Sequence, residues 1–181
     1  MCNKGGFVRS LLPIFVFLFF SLFPQAHVTE TYAADIGLEA GKQAPPVELP
    51  DLAGNTLSLS QLKGTVVLLN FWSTLCKPCI AEMPSLNSLY GALKDNGLKV
   101  IAVSIDGSDK PVREFASQKK IAFTILLDTE KEVFFDQYAG PSLPATYLID
   151  RNGIIVETFN GPWEWDSPEM KSKIVKLLKD R

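Results

Sequence analysis

Eight residues, TVVLLNFW (Thr65–Trp72), limit the choice of fold more than any other stretch of this chain. The run is almost unbroken in apolar character and holds β-branched residues, so it predicts a central strand covered on both faces. Ile80, Met83, Leu86, Leu89, Tyr90 and Leu93 follow at helical spacing over Lys77–Leu93, and Asn96-Gly97 marks the helix end. LKVIAVSID (Leu98–Asp106) then reads as a second buried strand. Strand, helix and strand in this order predict a parallel pair joined by a right-handed crossover. Further along, Lys110–Lys120 reads as a helix, Ala122–Asp128 as a short strand and Lys131–Tyr138 as a helical turn. Ala145–Asp150 and Ile154–Phe159 flank Arg151-Asn152-Gly153 as an antiparallel hairpin, and Ser167–Lys179 is an amphipathic closing helix. Upstream, Gly41–Gly64 is rich in turn formers and contains the alternating TLSLS, which suits a hairpin ending in a helical turn at Ser60–Lys63. The sum is an α/β sandwich.

The first segment has a different character. Lys4 and Arg9 precede the 13-residue apolar run LLPIFVFLFFSLF (Leu11–Phe23), and no acid appears before Glu30. A positive start followed by a short apolar run reads as a secretory signal. The run is shorter than the roughly 20 residues that cross a bilayer comfortably, yet a retained membrane anchor is the alternative. The expected organisation is therefore a signal peptide or N-terminal anchor over 1–33, a linker over 34–40 and one folded domain over 41–181. That domain would work outside the cytoplasm, in the periplasm or its equivalent, either secreted or tethered to the inner membrane. A net charge of −2 gives no electrostatic reason to expect nucleic acid as a partner. The single histidine, His27, lies ahead of the folded domain, which removes most histidine-based metal and triad chemistry.

Cys76 and Cys79 sit where the central strand hands over to the helix, the usual place for chemistry in an open α/β fold. A disulfide between residues so close in sequence closes too small a loop to brace a domain much. A c-type haem site needs His directly after the second cysteine, and Ile80 stands there. Structural zinc would need two further ligands that this domain does not supply as Cys or His. Thiol exchange fits better. The backbone N–H groups and dipole at a helix start stabilise a thiolate on Cys76, and Lys77 adds a positive charge. A thiol of pKa ~8.5 is only about 3% ionised at pH 7, whereas one lowered to ~7 is half ionised. Cys79, one turn deeper, is expected to resolve the mixed disulfide that Cys76 forms. Pro78 suits the first helical turn, while Pro84 falls inside the helix. Glu82 shares the helical face of Cys79, and burial there would raise its pKa and let it exchange protons with that thiol.

The run FWSTLCKPC followed by E-M-P resembles the active-site motif of the TlpA/ResA/CcmG branch of thioredoxin-fold proteins, within the AhpC/TSA–redoxin superfamily. Gly41-x-x-Ala44-Pro45, Leu59-x-x-Leu62-Lys63-Gly64 and Ser142-Leu143-Pro144-Ala145-Thr146 extend the likeness over the whole domain. The resemblance implies a thioredoxin-like three-layer sandwich with a central mixed sheet and an N-terminal β-hairpin extension. It also implies that Pro144 is a cis-proline facing the cysteines, that Trp72 is the retained aromatic of the motif, and that Pro84 is the helix-kinking proline. Thioredoxins carry a buried aspartate six residues before the first cysteine; Asn70 stands there, and the proton-handling acid is expected at Glu82 instead. Leu75 departs from the Trp common before the first cysteine, and Trp163 and Trp165 are expected to be structural. No cofactor beyond a redox-active disulfide is implied. The implied partners are disulfide-containing exported proteins, apocytochrome c among them, and a membrane thiol-reductase that donates electrons. Two competing readings stand beside this one: a thiol peroxidase, with Ser73 where peroxiredoxins place Thr, and a non-enzymatic redox-sensing or binding module.

Overall fold

A computed structural model describes residues 38–180. The signal or anchor expected over 1–33, and residues 34–37 of the expected linker, lie outside the described residues. Among the described residues no helix is long and apolar enough to cross a membrane.

Among the described residues seven strands and three α-helices follow in the order β1 (Glu48–Pro50), β2 (Thr56–Ser58), β3 (Val66–Trp72), α1 (Lys77–Leu93), β4 (Leu98–Ser104), α2 (Asp109–Lys119), β5 (Thr124–Leu127), β6 (Ala145–Ile149), β7 (Ile155–Asn160) and α3 (Pro168–Lys179). The central sheet has the strand order β5-β4-β3-β6-β7. The β3–β4 and β4–β5 pairs are parallel, whereas β3–β6 and β6–β7 are antiparallel, so the sheet is mixed. The thioredoxin-like architecture expected from the sequence is the one observed.

Strand β3 is buried at every position, which accounts for an apolar run that only Asn70 interrupts. Alternation then sorts its side chains. Val66, Leu68 and Trp72 pack with Met83, Leu86 and Leu89 of α1, Val112 of α2, and Ile174 of α3. Val67, Leu69 and Phe71 join Tyr138, Tyr147, Val133 and Phe134 on the opposite face, where Ala44 and Val47 of the N-terminal segment also pack. One side of the sheet is thus covered by helices. The other is covered by the separate β1–β2 hairpin and the 133–138 segment. Each fully buried Leu or Phe contributes roughly 1.5–3 kcal/mol relative to exposure.

Several boundaries differ from the sequence reading for local reasons. Only Thr56–Ser58 of TLSLS is strand, because the Ser58 side chain caps a 3₁₀ turn over Leu59–Leu62 in a capping box with Gln61. Helix α1 ends at Leu93, and a 3₁₀ turn over Lys94–Asn96 carries the chain to Gly97 at φ 102°. The turn expected over 131–138 is a π-helical one at Val133–Gln137, with the Asp128 carboxylate accepting from the backbone of Val133 and Phe134. Leu38, placed in the expected linker, already packs on the core, and its carbonyl accepts from Thr158 Oγ1 at 2.8 Å.

Candidate active site

Cys76 is the N-cap of α1 and Cys79 lies in its first turn, with Cα atoms 5.3 Å apart and the sulfurs joined as a disulfide. Pro78 occupies that first turn, where its missing N–H costs nothing. The two sulfurs differ in environment. Cys79 is fully buried and Cys76 half-buried, and the Cys79 backbone N–H donates to Cys76 Sγ at 3.2 Å. Lys77 beside them is exposed.

The loop that delivers Cys76 is held from the next strand over. Asp106, just beyond β4, accepts from Thr74 Oγ1 at 2.6 Å, Ser104 Oγ at 2.7 Å, the Thr74 backbone N–H at 2.9 Å and Ser73 Oγ at 3.1 Å. The Ser73 carbonyl in turn accepts from the Cys76 N–H at 3.1 Å. Asp106 was not singled out from the sequence, because its partners in the cysteine loop lie 32 and 33 residues away and a strand-end aspartate carries no mark of its own.

Glu82 lies on the buried face of α1 with Cys79, Met83 and Leu86, and is 3% exposed. Its position follows from the strand period. Asn70 points from β3 toward α1 between Leu68 and Trp72, and the antiparallel register sets Thr146 of β6 beside it. Asn70 Nδ2 donates to Glu82 Oε1 at 2.9 Å and to Thr146 Oγ1 at 2.8 Å. Glu82 Oε2 accepts from the Trp163 backbone and from Trp165 Nε1, both at 3.0 Å. Burial pushes the Glu82 carboxyl above its ordinary value, partly opposed by the donors from Trp163, Trp165 and Asn70. The tryptophan loop, expected to be structural, supplies two of the three donors that reach this acid among the described residues, from more than 80 residues away; no sign of that link is present in the sequence.

Trp72 is fully buried at the end of β3 and packs on Phe115 with ring centroids 5.0 Å apart. The Leu143–Pro144 peptide is cis and leads straight into β6, where Ala145 pairs with Phe71 in the β3 segment that runs to the cysteines. Leu143 packs against the cluster that contains Cys79. Leu75, in the position where the family commonly has Trp, is 89% exposed directly before Cys76. Among the described residues, no group of three or more His, Cys, Asp or Glu is arranged to hold a metal ion.

The model of the AhpC/TSA family matches residues 40–158. The thiol-disulfide oxidoreductase ResA of Bacillus thuringiensis (strain Al Hakam) is 40% identical over 124 residues, covering 68% of this chain and 71% of that protein. The chain belongs to the AhpC/TSA family, in its ResA-like branch of thiol–disulfide oxidoreductases. ResA of Geobacillus kaustophilus is 34% identical over 148 residues, with 82% and 84% covered. Among solved structures, the thioredoxin domain of a thiol-disulfide oxidoreductase from Bacteroides vulgatus superposes with a TM-score of 0.70 at 27% identity, over 78% of this chain and 99% of that one. This ResA-like oxidoreductase therefore carries its cysteine pair at the head of a helix, with one sulfur partly open and the other enclosed. Such an arrangement can exchange disulfides with a partner at one sulfur and close on itself through the other.

Proposed function

We propose that this protein is exported and reduces disulfides of other exported proteins through the Cys76–Cys79 dithiol. The observation that carries this reading is the asymmetry of the pair: Cys76 is accessible at the head of α1 with the Cys79 N–H aimed at its sulfur, while Cys79 is enclosed. In the reduced protein that N–H and the helix dipole would stabilise a Cys76 thiolate. The thiolate attacks one sulfur of a client disulfide, an S–S bond forms between Cys76 and the client, and the displaced client sulfur leaves as a thiolate that takes up a proton. Glu82 accepts the proton of Cys79, whose thiolate attacks Cys76 Sγ and releases the second client thiol. Two electrons pass from the dithiol to the client, and a membrane thiol-reductase would restore them.

Apocytochrome c is the client we favour, on the strength of likeness to ResA, and residues 1–33 would direct or anchor the domain outside the cytoplasm. Lys77 lends positive charge near the nucleophile, Pro78 shapes the first turn, Trp72 backs the site, and the chain around Pro144 would receive an extended client segment. The peroxidase reading loses support because the Ser73 hydroxyl is committed to Asp106 and accepts from the Leu75 N–H, leaving it little freedom to serve Cys76.

The test is capture. A Cys79→Ala variant, expressed with its N-terminal segment, should accumulate mixed disulfides with exported proteins that dithiothreitol releases, and Cys76→Ala should accumulate none. A Cys79→Ala protein that traps nothing, while wild type closes its own disulfide normally, would favour a self-contained redox sensor.

A further inference from the structure

Glu82 is hydrogen-bonded unevenly. Oε2 accepts two N–H groups, from the Trp163 backbone and the Trp165 indole, whereas among the described residues Oε1 accepts only Asn70 Nδ2. Peptide and indole nitrogens can only donate, so nothing at Oε2 can receive a hydrogen bond from a protonated carboxyl. A proton added to Glu82 therefore belongs on Oε1. There it must donate, and the amide nitrogen facing it cannot accept. Asn70 is fully buried, and its Oδ1 is a buried acceptor with no hydrogen-bond partner among the described residues. The other neighbour of the amide is adaptable: Thr146 Oγ1 accepts from Nδ2 at 2.8 Å, and as a hydroxyl it can equally donate to an oxygen.

We propose that Asn70 is a positioning residue whose carboxamide reverses with the protonation of Glu82, Nδ2 facing the carboxylate and Oδ1 facing the carboxylic acid. The inference rests on the reading of Glu82 as the acid that exchanges protons at this site. The reversal is a rotation about one side-chain bond, followed by a turn of the Thr146 hydroxyl, with the backbone of β3 and β6 unmoved. Either orientation leaves the far end of the amide unpaired, so the side facing Glu82 and Thr146 decides. An aspartate at this position could only accept when ionised and would set a second negative charge against Glu82. An amide can do both jobs.

The surroundings suit a proton that comes and goes. From the sheet the uncharged Asn70 reaches Glu82, and the uncharged Thr146 stands behind it as the other partner of the amide. Its own helix begins with Lys77 and carries Cys79, with Cys76 as the N-cap. On the remaining side Glu82 lines a surface cavity of about 480 Å³ together with Glu164 and Asp166, which gives a path to solvent. Burial favours the protonated form of this acid, and the three donors oppose it.

The experiment is a pH titration of the oxidised full-length protein by carbon and nitrogen NMR, following Glu82 Cδ and the Asn70 side-chain NH2. Both should move with one midpoint. In Glu82→Gln the introduced amide presents its oxygen to the two tryptophan donors and its NH2 to Asn70, imitating the protonated acid. The Asn70 signals should then stay at the wild-type low-pH limit at every pH. Asn70→Leu, of similar size, removes a donor from the carboxylate and should raise the Glu82 midpoint by about one pH unit, a tenfold change in proton affinity. The pH profile of disulfide exchange should shift with it. Asn70 signals that stay constant while Glu82 titrates, or that sit at the high-pH limit in Glu82→Gln, overturn the proposal, and neither measurement requires the Asn70 variant to fold. If Glu82→Gln leaves the exchange profile unchanged, the proton-handling role of Glu82 fails, while the NMR titration still decides the coupling to Asn70.

Discussion

Removing the Asp106 carboxylate should slacken the loop that presents Cys76, and the size of the effect follows from its partners. Three hydroxyls and one backbone N–H converge on this 7% exposed side chain, which fixes Ser73, Thr74 and Ser104 at once. A hydrogen bond to a charged acceptor has a net worth of about 1.5–3 kcal/mol, but bonds that share one carboxylate do not add. Thr74 is only half-buried, so water would replace part of what is lost. Asp106→Ala should therefore cost about 3 kcal/mol. Asp106→Asn keeps one oxygen for the Thr74 N–H and Ser104 while its NH2 meets hydroxyls that can turn to accept, so it should cost about 1–2 kcal/mol. Urea unfolding of the oxidised protein, monitored by tryptophan fluorescence, measures both. Exchange by Cys76 should also slow more in Ala than in Asn, since the Ser73 carbonyl that holds the Cys76 N–H moves with the loop. A cost below about 1 kcal/mol for Ala, or equal costs for the two variants, would refute the argument that this network holds the loop.

Other perturbations test other links. The raised pKa of Glu82 is a stability statement: its contribution is fully present below the ordinary value of 4.5 and is lost as pH rises through the higher folded-state value. Urea midpoints should therefore fall less between acidic and mildly alkaline pH in Glu82→Gln than in wild type. Trp165→Phe keeps the aromatic packing on Phe159 but removes a donor from the carboxylate, so the Glu82 midpoint should rise further when read by NMR. Leu75→Ala should lower kcat/KM for a protein client by up to about tenfold through lost apolar contact, while leaving the reaction with a small aromatic disulfide within about twofold.

Much of the fold was legible because it is written in local periodicity. The nearly continuous apolar run of β3, the helical spacing of α1 and the RNG turn between β6 and β7 each announce an element. The handover from β3 to α1 also located the cysteines, and the shared face of Cys79 and Glu82 anticipated the buried acid. What stayed hidden depends on which distant segments meet. That β6 lies antiparallel against β3, bringing Thr146 to Asn70, is a matter of register between strands 76 residues apart at that contact. The Trp163–Trp165 loop and the Asp106 network are likewise long-range hydrogen-bond partners of site residues. Their side chains read locally as an aromatic turn and a strand-end acid. Asn70 did stand out in the sequence, but only as a replaced aspartate; its double donation needed the geometry.

The measurement closest to the heart of the account is the rate at which each sulfur of the reduced protein is alkylated, resolved by mass mapping and repeated across pH. Cys76 should react at least about tenfold faster than Cys79, with a thiolate midpoint below that of a free cysteine at ~8.5. Equal and slow modification of both sulfurs would contradict the assignment of Cys76 as the exchanging nucleophile.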